Sequence, residues 1–188
     1  VYYVSLGSFD THFNQQKRQG ALLQQLSETV KLFLDDLKKS GLSDKVMLMT
    51  FSEFGRRIKS NASLGTDHGA AAPLLLFGKH VKKGILGNSP DIPSDINVVN
   101  NVPFQYDFRR VYASVLERWF CVKQPLLNEL LLQNYQSLPL IKGGPCGLPD
   151  DPDVINDNAD KLTLKMWPVP YTLNATLQFS TTGGHTMI

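Results

Sequence analysis

Cysteine and histidine are scarce: two and four of 188 residues. Cys121 and Cys146 stand too far apart for a C-x-x-C redox or zinc motif. Long hydrophobic runs are missing as well. Leu74-Leu75-Leu76-Phe77 is cut off by Pro73 and Gly78, and no run approaches the ~20 apolar residues that span a bilayer. Nor is there an excess of one charge. Nineteen basic residues against 17 acidic give +2, too little to argue for nucleic acid or an acidic surface as partner. Arg56-Arg57, Lys82-Lys83 and Arg109-Arg110 are not interleaved with aromatics, which argues against a base-stacking platform. No Gly-rich phosphate loop is present, and no Gly-x-Ser-x-Gly elbow, so serine hydrolase chemistry of that type is disfavoured.

What is there is an ordinary globular composition, 42% hydrophobic and 19% charged. That excludes disorder throughout and suits one domain plus an appendage. The charge is unevenly spread. From Gly143 to Asp160 there are five Asp, three Pro and no Lys or Arg, the composition of an extended, solvated linker. Residues 1–142 carry 17 basic and 12 acidic residues, or +5. Three parts follow: a body at 1–142, an acidic linker at 143–160, and a C-terminal segment at 161–188. The chain opens on Val1-Tyr2-Tyr3-Val4 and ends on Thr186-Met187-Ile188, and is expected to be a piece of a longer protein.

Within the body, Val1–Leu6, Val46–Phe51 and Leu74–Phe77 read as apolar strands. Leu22, Leu23, Leu26, Val30, Phe33, Leu34 and Leu37 recur at helical spacing, with Gly41 placed for a C-cap and Lys38 and Lys39 suited to the helix dipole. Asp107 is placed to cap a helix whose stripe is Val111, Tyr112, Val115, Leu116 and Trp119. Strand–helix–strand order predicts an α/β fold with a mainly parallel sheet covered by helices.

Ligands of such sheets bind beyond strand ends, and the segments there are chemically rich. Two histidines lie beside an aspartate: Asp10-Thr11-His12 and Asp67-His68. Carboxylate oxygen and imidazole nitrogen are usual ligands for a hydrolytic divalent metal such as Zn or Mn. On extended backbone Asp10 and His12 point to one side, whereas Asp67 and His68 need a turn to do so, which Gly65 and Gly69 permit. Glu53 is a third strand-end acid, suited to be a ligand, a base or a clamp on Arg56. The competing reading is that Asp and His in loops cap turns or face solvent. His80 reads as part of a basic surface turn, and His185 as an ordinary tail residue. Cys121 and Cys146 form one disulfide pinning the linker root if the protein is exported; if they stay reduced, Cys121 is a helix-end core residue. The Gly- and Pro-rich surroundings of Cys146 favour the disulfide. Asn61-Ala-Ser and Asn174-Ala-Thr match the glycosylation sequon, a triplet that arises readily by chance.

Gly7-Ser8-Phe9-Asp10-Thr11-His12-Phe13-Asn14-Gln15, Ser52-Glu53-Phe54-Gly55-Arg56-Arg57, Asn61, Gly65-Thr66-Asp67-His68-Gly69 and Asp107-Phe108-Arg109-Arg110-Val111-Tyr112-Ala113 with Trp119 resemble a bacterial family catalogued as domain of unknown function 1501. The resemblance covers about residues 1–120 and corresponds to the C-terminal part of the family domain. It implies an alkaline-phosphatase-like α/β/α sandwich, here partial, with metal ligands at strand ends. Asp67-His68 is similar to the superfamily's ligand pair for one metal. Asp10 and His12 are similar to the set for a second, with one residue between them where the family usually has three. Divalent Zn, Mn or Ca is the implied cofactor and a small anionic ester the implied substrate. The nucleophile is expected outside this chain, with Arg56 stabilising the ester oxygens and Glu53 a further catalytic candidate.

Leu162–Pro170, followed by alternating Thr172–Ser180, looks like the start of a type IX secretion sorting domain, a small β-sandwich. Trp167 and Val169 replace the usual Tyr and Asn. This resemblance implies secretion machinery as a partner and a secreted or cell-surface location. The leading expectation is thus an exported metal-binding protein, a metal-dependent phosphoester or sulfoester hydrolase. The alternative is a non-enzymatic cell-surface or secreted cargo protein with a structural or degenerate metal site.

Overall fold

The computed structural model describes residues 1–147. The sorting-type segment at 161–188 and all but the first residues of the linker lie outside the described residues, as do Asn174 and His185. In chain order the elements are α1 (Gln15–Lys39), β1 (Leu48–Met49), β2 (Gly55–Arg56), β3 (His68–Gly69), β4 (Leu76–Phe77), α2 (Phe108–Arg118) and α3 (Gln124–Leu131). No helix among the described residues is long and apolar enough to cross a membrane.

Helix α1 ends where its sequence says it should. Gly41 adopts φ +68°, its N–H donates to Lys38 O, and Leu42 N–H donates to Leu37 O. This paired closure satisfies the last carbonyls and needs a residue at ease in the left-handed region. The apolar stripe is less covered than its periodicity predicts. Val30 and Leu37 are buried, but Phe33 is exposed and Leu22, Leu23, Leu26 and Leu34 are half-buried. The reason is that no described helix or strand packs along α1, so its cover comes from loops alone.

The strands depart further from expectation. β1 pairs antiparallel with β4, Leu48 opposite Phe77 and Met49 opposite Leu76. β2 pairs antiparallel with β3, Gly55 opposite Gly69 and Arg56 opposite His68. The parallel pairing expected from strand–helix–strand order does not occur among the described residues. Parallel neighbours need a crossover, usually helical, and the chain from β1 to β4 folds instead through the β2–β3 pair. Val1–Val4 is exposed and joins neither sheet.

The core forms where β4, α2 and a late strap meet. Leu76, Val81, Leu138, Leu140 and Ile141 are buried together, with Met47, Met49, Tyr106, Val111, Val115 and Trp119 packed against them. Asp107 caps α2 as expected, accepting from Arg109 N–H at 2.9 Å, an interaction that contributes about 1 kcal/mol. The residues of α2 that are fully buried are Ala113 and Ser114, whereas the expected stripe is half-buried. Ser114 tolerates burial because its hydroxyl donates to Arg110 O and accepts from Leu138 N–H, leaving no unpaired polar group. Helix α3 is not marked by apolar periodicity. Its signal is Pro125 in the first turn, where a missing N–H costs nothing.

The strap at 138–146 is held at several points. Lys82 N–H donates to Leu140 O and Lys142 N–H to His80 O. His80 lies in a turn, as expected, and also acts as a clip: its Nε2 lies 3.2 Å from Asp44 Oδ1 and its Nδ1 3.2 Å from Lys142 O. Cys146 is disulfide-bonded to Cys121, just past α2. The bridge spans a sequence separation of 25, so the loop-entropy argument gives it about 3 kcal/mol. Urea unfolding of the Cys121→Ser/Cys146→Ser double variant is expected to show a loss of that size. An unchanged midpoint would mean that the strap's packing already orders the loop.

Candidate metal centre

Two loops far apart in sequence are laced together by backbone hydrogen bonds. Asn14 N–H donates to Ser63 O, Gln15 N–H to Leu64 O, and Thr66 N–H to Thr11 O. Buried Thr66 donates through its hydroxyl to Gln15 Oε1 at 2.7 Å, so the polar groups beneath the lacing are paired. The close approach depends on glycine. A Cβ on Gly65 would lie 2.1 Å from the carbonyl carbon of His12, and one on Gly69 2.3 Å from that of Arg56. Both are main-chain atoms that cannot swing aside.

This lacing sets the Asp10–His12 segment beside the β2–β3 pair. Asp10 and His12 do point to one side, and His68 joins them. Asp10 Oδ1 lies 3.0 Å from His12 Nε2 and 2.9 Å from His68 Nε2, and the two Nε2 atoms are 3.1 Å apart. Asp67 does not share that side. Asp67 and His68 follow one another without the anticipated turn, so their side chains diverge, as successive residues of extended chain do. Asp67 Oδ1 instead meets the other ring nitrogen of His12, Nδ1, at 3.2 Å.

Each member is braced. Arg56, only 13% exposed at its side chain, donates from Nη1 to Asp10 Oδ1 at 2.9 Å and from Nη2 to Thr11 Oγ1 at 3.4 Å. It is engaged with Asp10 and not with Glu53, which is exposed and stands outside the cluster. The Phe54 ring stacks on His68 with centroids 3.5 Å apart, fixing the imidazole plane. Arg57 donates to His68 O at 3.1 Å. Asn61 is recognisable in the sequence only as a sequon and a family position, yet its amide serves the site. Nδ2 donates to His12 O at 3.0 Å and to Asp67 Oδ1 at 3.2 Å, while Oδ1 accepts from Ser63 and Gly65 N–H.

The electrostatics favour anionic acids at this spot. Desolvation opposes ionisation of Asp10, but hydrogen bonds from His68 and Arg56 and the charges of His12 and His68 outweigh it, holding the carboxyl below its usual range. Hydrogen bonds from Asn61 and His12 do the same for Asp67. Asp10, His12 and His68 each offer one donor atom to a group lying within 4.8 Å of one another. Donors about 3 Å apart subtend roughly a right angle at a cation bound at about 2.1 Å, so the group fits one face of an octahedral or distorted tetrahedral site. One carboxylate and two imidazoles suit Zn or Mn better than Ca, which prefers oxygen throughout. All three side chains are about half-exposed, leaving the outer face open to a further ligand.

No curated protein and no solved structure matches the chain. A family model does, over residues 1–131, and it spans both laced loops, all four Asp and His residues, and α2. The chain belongs to the family described as protein of unknown function DUF1501.

Proposed function

We propose that this chain is part of an exported protein that holds a divalent cation on Asp10, His12 and His68 and uses it to hydrolyse a small anionic ester, a phosphoester or sulfoester. The observation that carries this reading is the meeting of three donor atoms about 3 Å apart from loops 56 residues distant in sequence, each braced by a partner of its own. Such a cation supplies Lewis acidity toward the ester's charged oxygens. The chain's own residues do the rest. Arg56 holds Asp10 ionised and aimed at the cluster, and its second nitrogen keeps Thr11 in register. Arg57 adds positive charge at the rim, which attracts an anion from solvent.

The reaction further requires a nucleophilic hydroxyl, and the hydroxyls of Thr11 and Thr66 are unsuited to that role because both are buried and hydrogen-bonded. The resemblance to the alkaline-phosphatase-like superfamily implies that the nucleophile comes from a part of the protein outside these residues. Export is supported by the Cys121–Cys146 disulfide, which persists in oxidising compartments, and by the sorting-type sequence from Leu162, through which the secretion machinery would engage the protein. A non-enzymatic cargo protein with a structural cation is the alternative, favoured by the openness of the cluster, whose three side chains are about half-exposed.

Metal analysis of the protein purified without chelator, paired with turnover of aryl phosphate and aryl sulfate, tests the reading. Near one equivalent of Zn or Mn with hydrolysis of either ester is expected. Bound metal without turnover selects the cargo reading, and a metal-free protein that fails to take up either ion rejects the site.

A further inference from the structure

Asp10 is held by Arg56, and both ring nitrogens of His12 have contacts, but Nδ1 of His68 has no hydrogen-bond partner among the described residues. The orientation of that ring has to come from packing. We propose that Phe54 is a positioning residue, whose stacked ring holds the His68 imidazole in the plane that presents Nε2 beside Asp10 and His12 before any ion arrives. This rests on the cation-binding reading of Asp10, His12 and His68 above.

The pairing of β2 with β3 brings the two rings together. Arg56 stands opposite His68, and Phe54 precedes it by two residues on the same face, its ring centroid 5.8 Å from Arg56 Cζ. Side chains so placed on neighbouring strands meet along the diagonal, within reach of aromatic groups. Glycine closes the remaining gap. A Cβ on Gly55 would lie 1.7 Å from Ala71 O, so the chains approach here as no larger residue would allow. Ser52 donates from its hydroxyl to Phe54 O at 2.9 Å, which anchors the backbone that carries the ring. The rings meet with centroids 3.5 Å apart and planes 13° from parallel.

The outer torsion of a histidine is broad and roughly two-fold, so an unbraced His68 ring would spread over many planes. The stack removes all but two orientations, related by a half-turn, and the contact of Nε2 with Asp10 Oδ1 at 2.9 Å selects between them. Four side chains thereby close a circuit. Arg56 donates to Asp10, Asp10 meets His68, His68 stacks on Phe54, and Phe54 lies alongside Arg56. The freedom of the His68 ring is thus given up when the protein folds and not when an ion binds, which raises affinity without adding a ligand.

The test uses the full chain in three forms: the parent, Phe54→Leu, which keeps apolar bulk, and Phe54→Tyr, which restores a flat ring. Carbon-13 relaxation NMR without metal reports how firmly the His68 ring is held, with the His80 ring as internal reference. Titration calorimetry with Zn reports affinity. His68 is expected to be rigid in the parent and in Phe54→Tyr and mobile in Phe54→Leu, while His80, held by Asp44 and Lys142, is unchanged throughout. Zn affinity is expected to fall about three- to tenfold in Phe54→Leu and to return in Phe54→Tyr. Parental Zn affinity or a rigid His68 in Phe54→Leu would overturn the inference. So would a loosening of His80 along with His68, which marks a general loss of fold, or a deficit that Phe54→Tyr fails to restore. If His68 is mobile only in Phe54→Leu and no form takes up Zn or Mn, the positioning stands and the cation reading falls.

Discussion

Replacing His12 by Ala lowers divalent-cation affinity by about a hundredfold or more. Structural zinc sites draw roughly 10–16 kcal/mol from four ligands, or about 3 kcal/mol apiece, and 1.4 kcal/mol is a factor of ten. Three protein donors are available, so the loss of one leaves a pair that cannot close a face around the ion. Titration calorimetry with Zn and with Mn measures the effect. The control is His80→Ala, because His80 contacts Asp44 and Lys142 instead of the cluster, and its removal leaves affinity where it was. Equal affinity in His12→Ala and the parent would place the cation elsewhere. The loss is specific to binding, since His12 is half-exposed and its truncation opens no buried cavity.

Gly65→Ala has the second large effect, and it acts on the fold first and the site through it. Gly65 lacks the positive φ that would make any side chain strained. Its requirement is space alone: an added methyl meets the His12 carbonyl carbon at 2.1 Å, its oxygen at 2.2 Å and Phe13 N at 2.5 Å. The two laced loops must separate for it to fit, breaking bonds such as Thr66 N–H to Thr11 O and drawing His68 away from Asp10. A destabilisation of about 3 kcal/mol is expected, with at least a tenfold loss of cation affinity at temperatures where the variant stays folded. Gly20→Ala provides the contrast. Gly20 lies inside α1 with nothing near its would-be Cβ, so Ala there is expected to stabilise by about 1 kcal/mol through helix propensity. Thermal melts of the two variants should move in opposite directions. A melt of Gly65→Ala at the parent's temperature would show that the loops do not approach so closely.

Much of the site is legible in the amino-acid sequence, and the part that is not is of one kind. Asp10 and His12 share a side, as residues two apart on extended chain do, although the chain turns at Asp10, where Thr11 N–H donates to Phe9 O, and bends at His12; the pairing of the two residue types is local information. Asp107 as a cap and Gly41 as a terminator are equally local. That His68 faces them, and that Asp67 turns to the back of His12, depends on how loops more than fifty residues apart are laced, and no short-range pattern encodes that. The same division explains the sheets. Leu48–Met49 and Leu76–Phe77 are apolar enough to be recognised as strands, but apolarity does not specify direction, and they pair antiparallel. Asn61 is not legible as a working residue because a sequon and a fully hydrogen-bonded turn look alike in sequence.

The bridge from Cys146 to Cys121 has a mechanical consequence. Any pull on the chain beyond residue 147 enters the body at Cys146 and divides there. One branch is the covalent sulfur link to the end of α2; the other is the backbone running back through Leu138–Ile141 and α3. Because the link closes that second branch into a loop, residues 122–145 cannot be stretched while it holds. The buried strap is thereby shielded from tension, and load passes directly to the end of the helix that Asp107 caps. A protein tethered by its C-terminal segment would hang from a bond, not from its hydrophobic core.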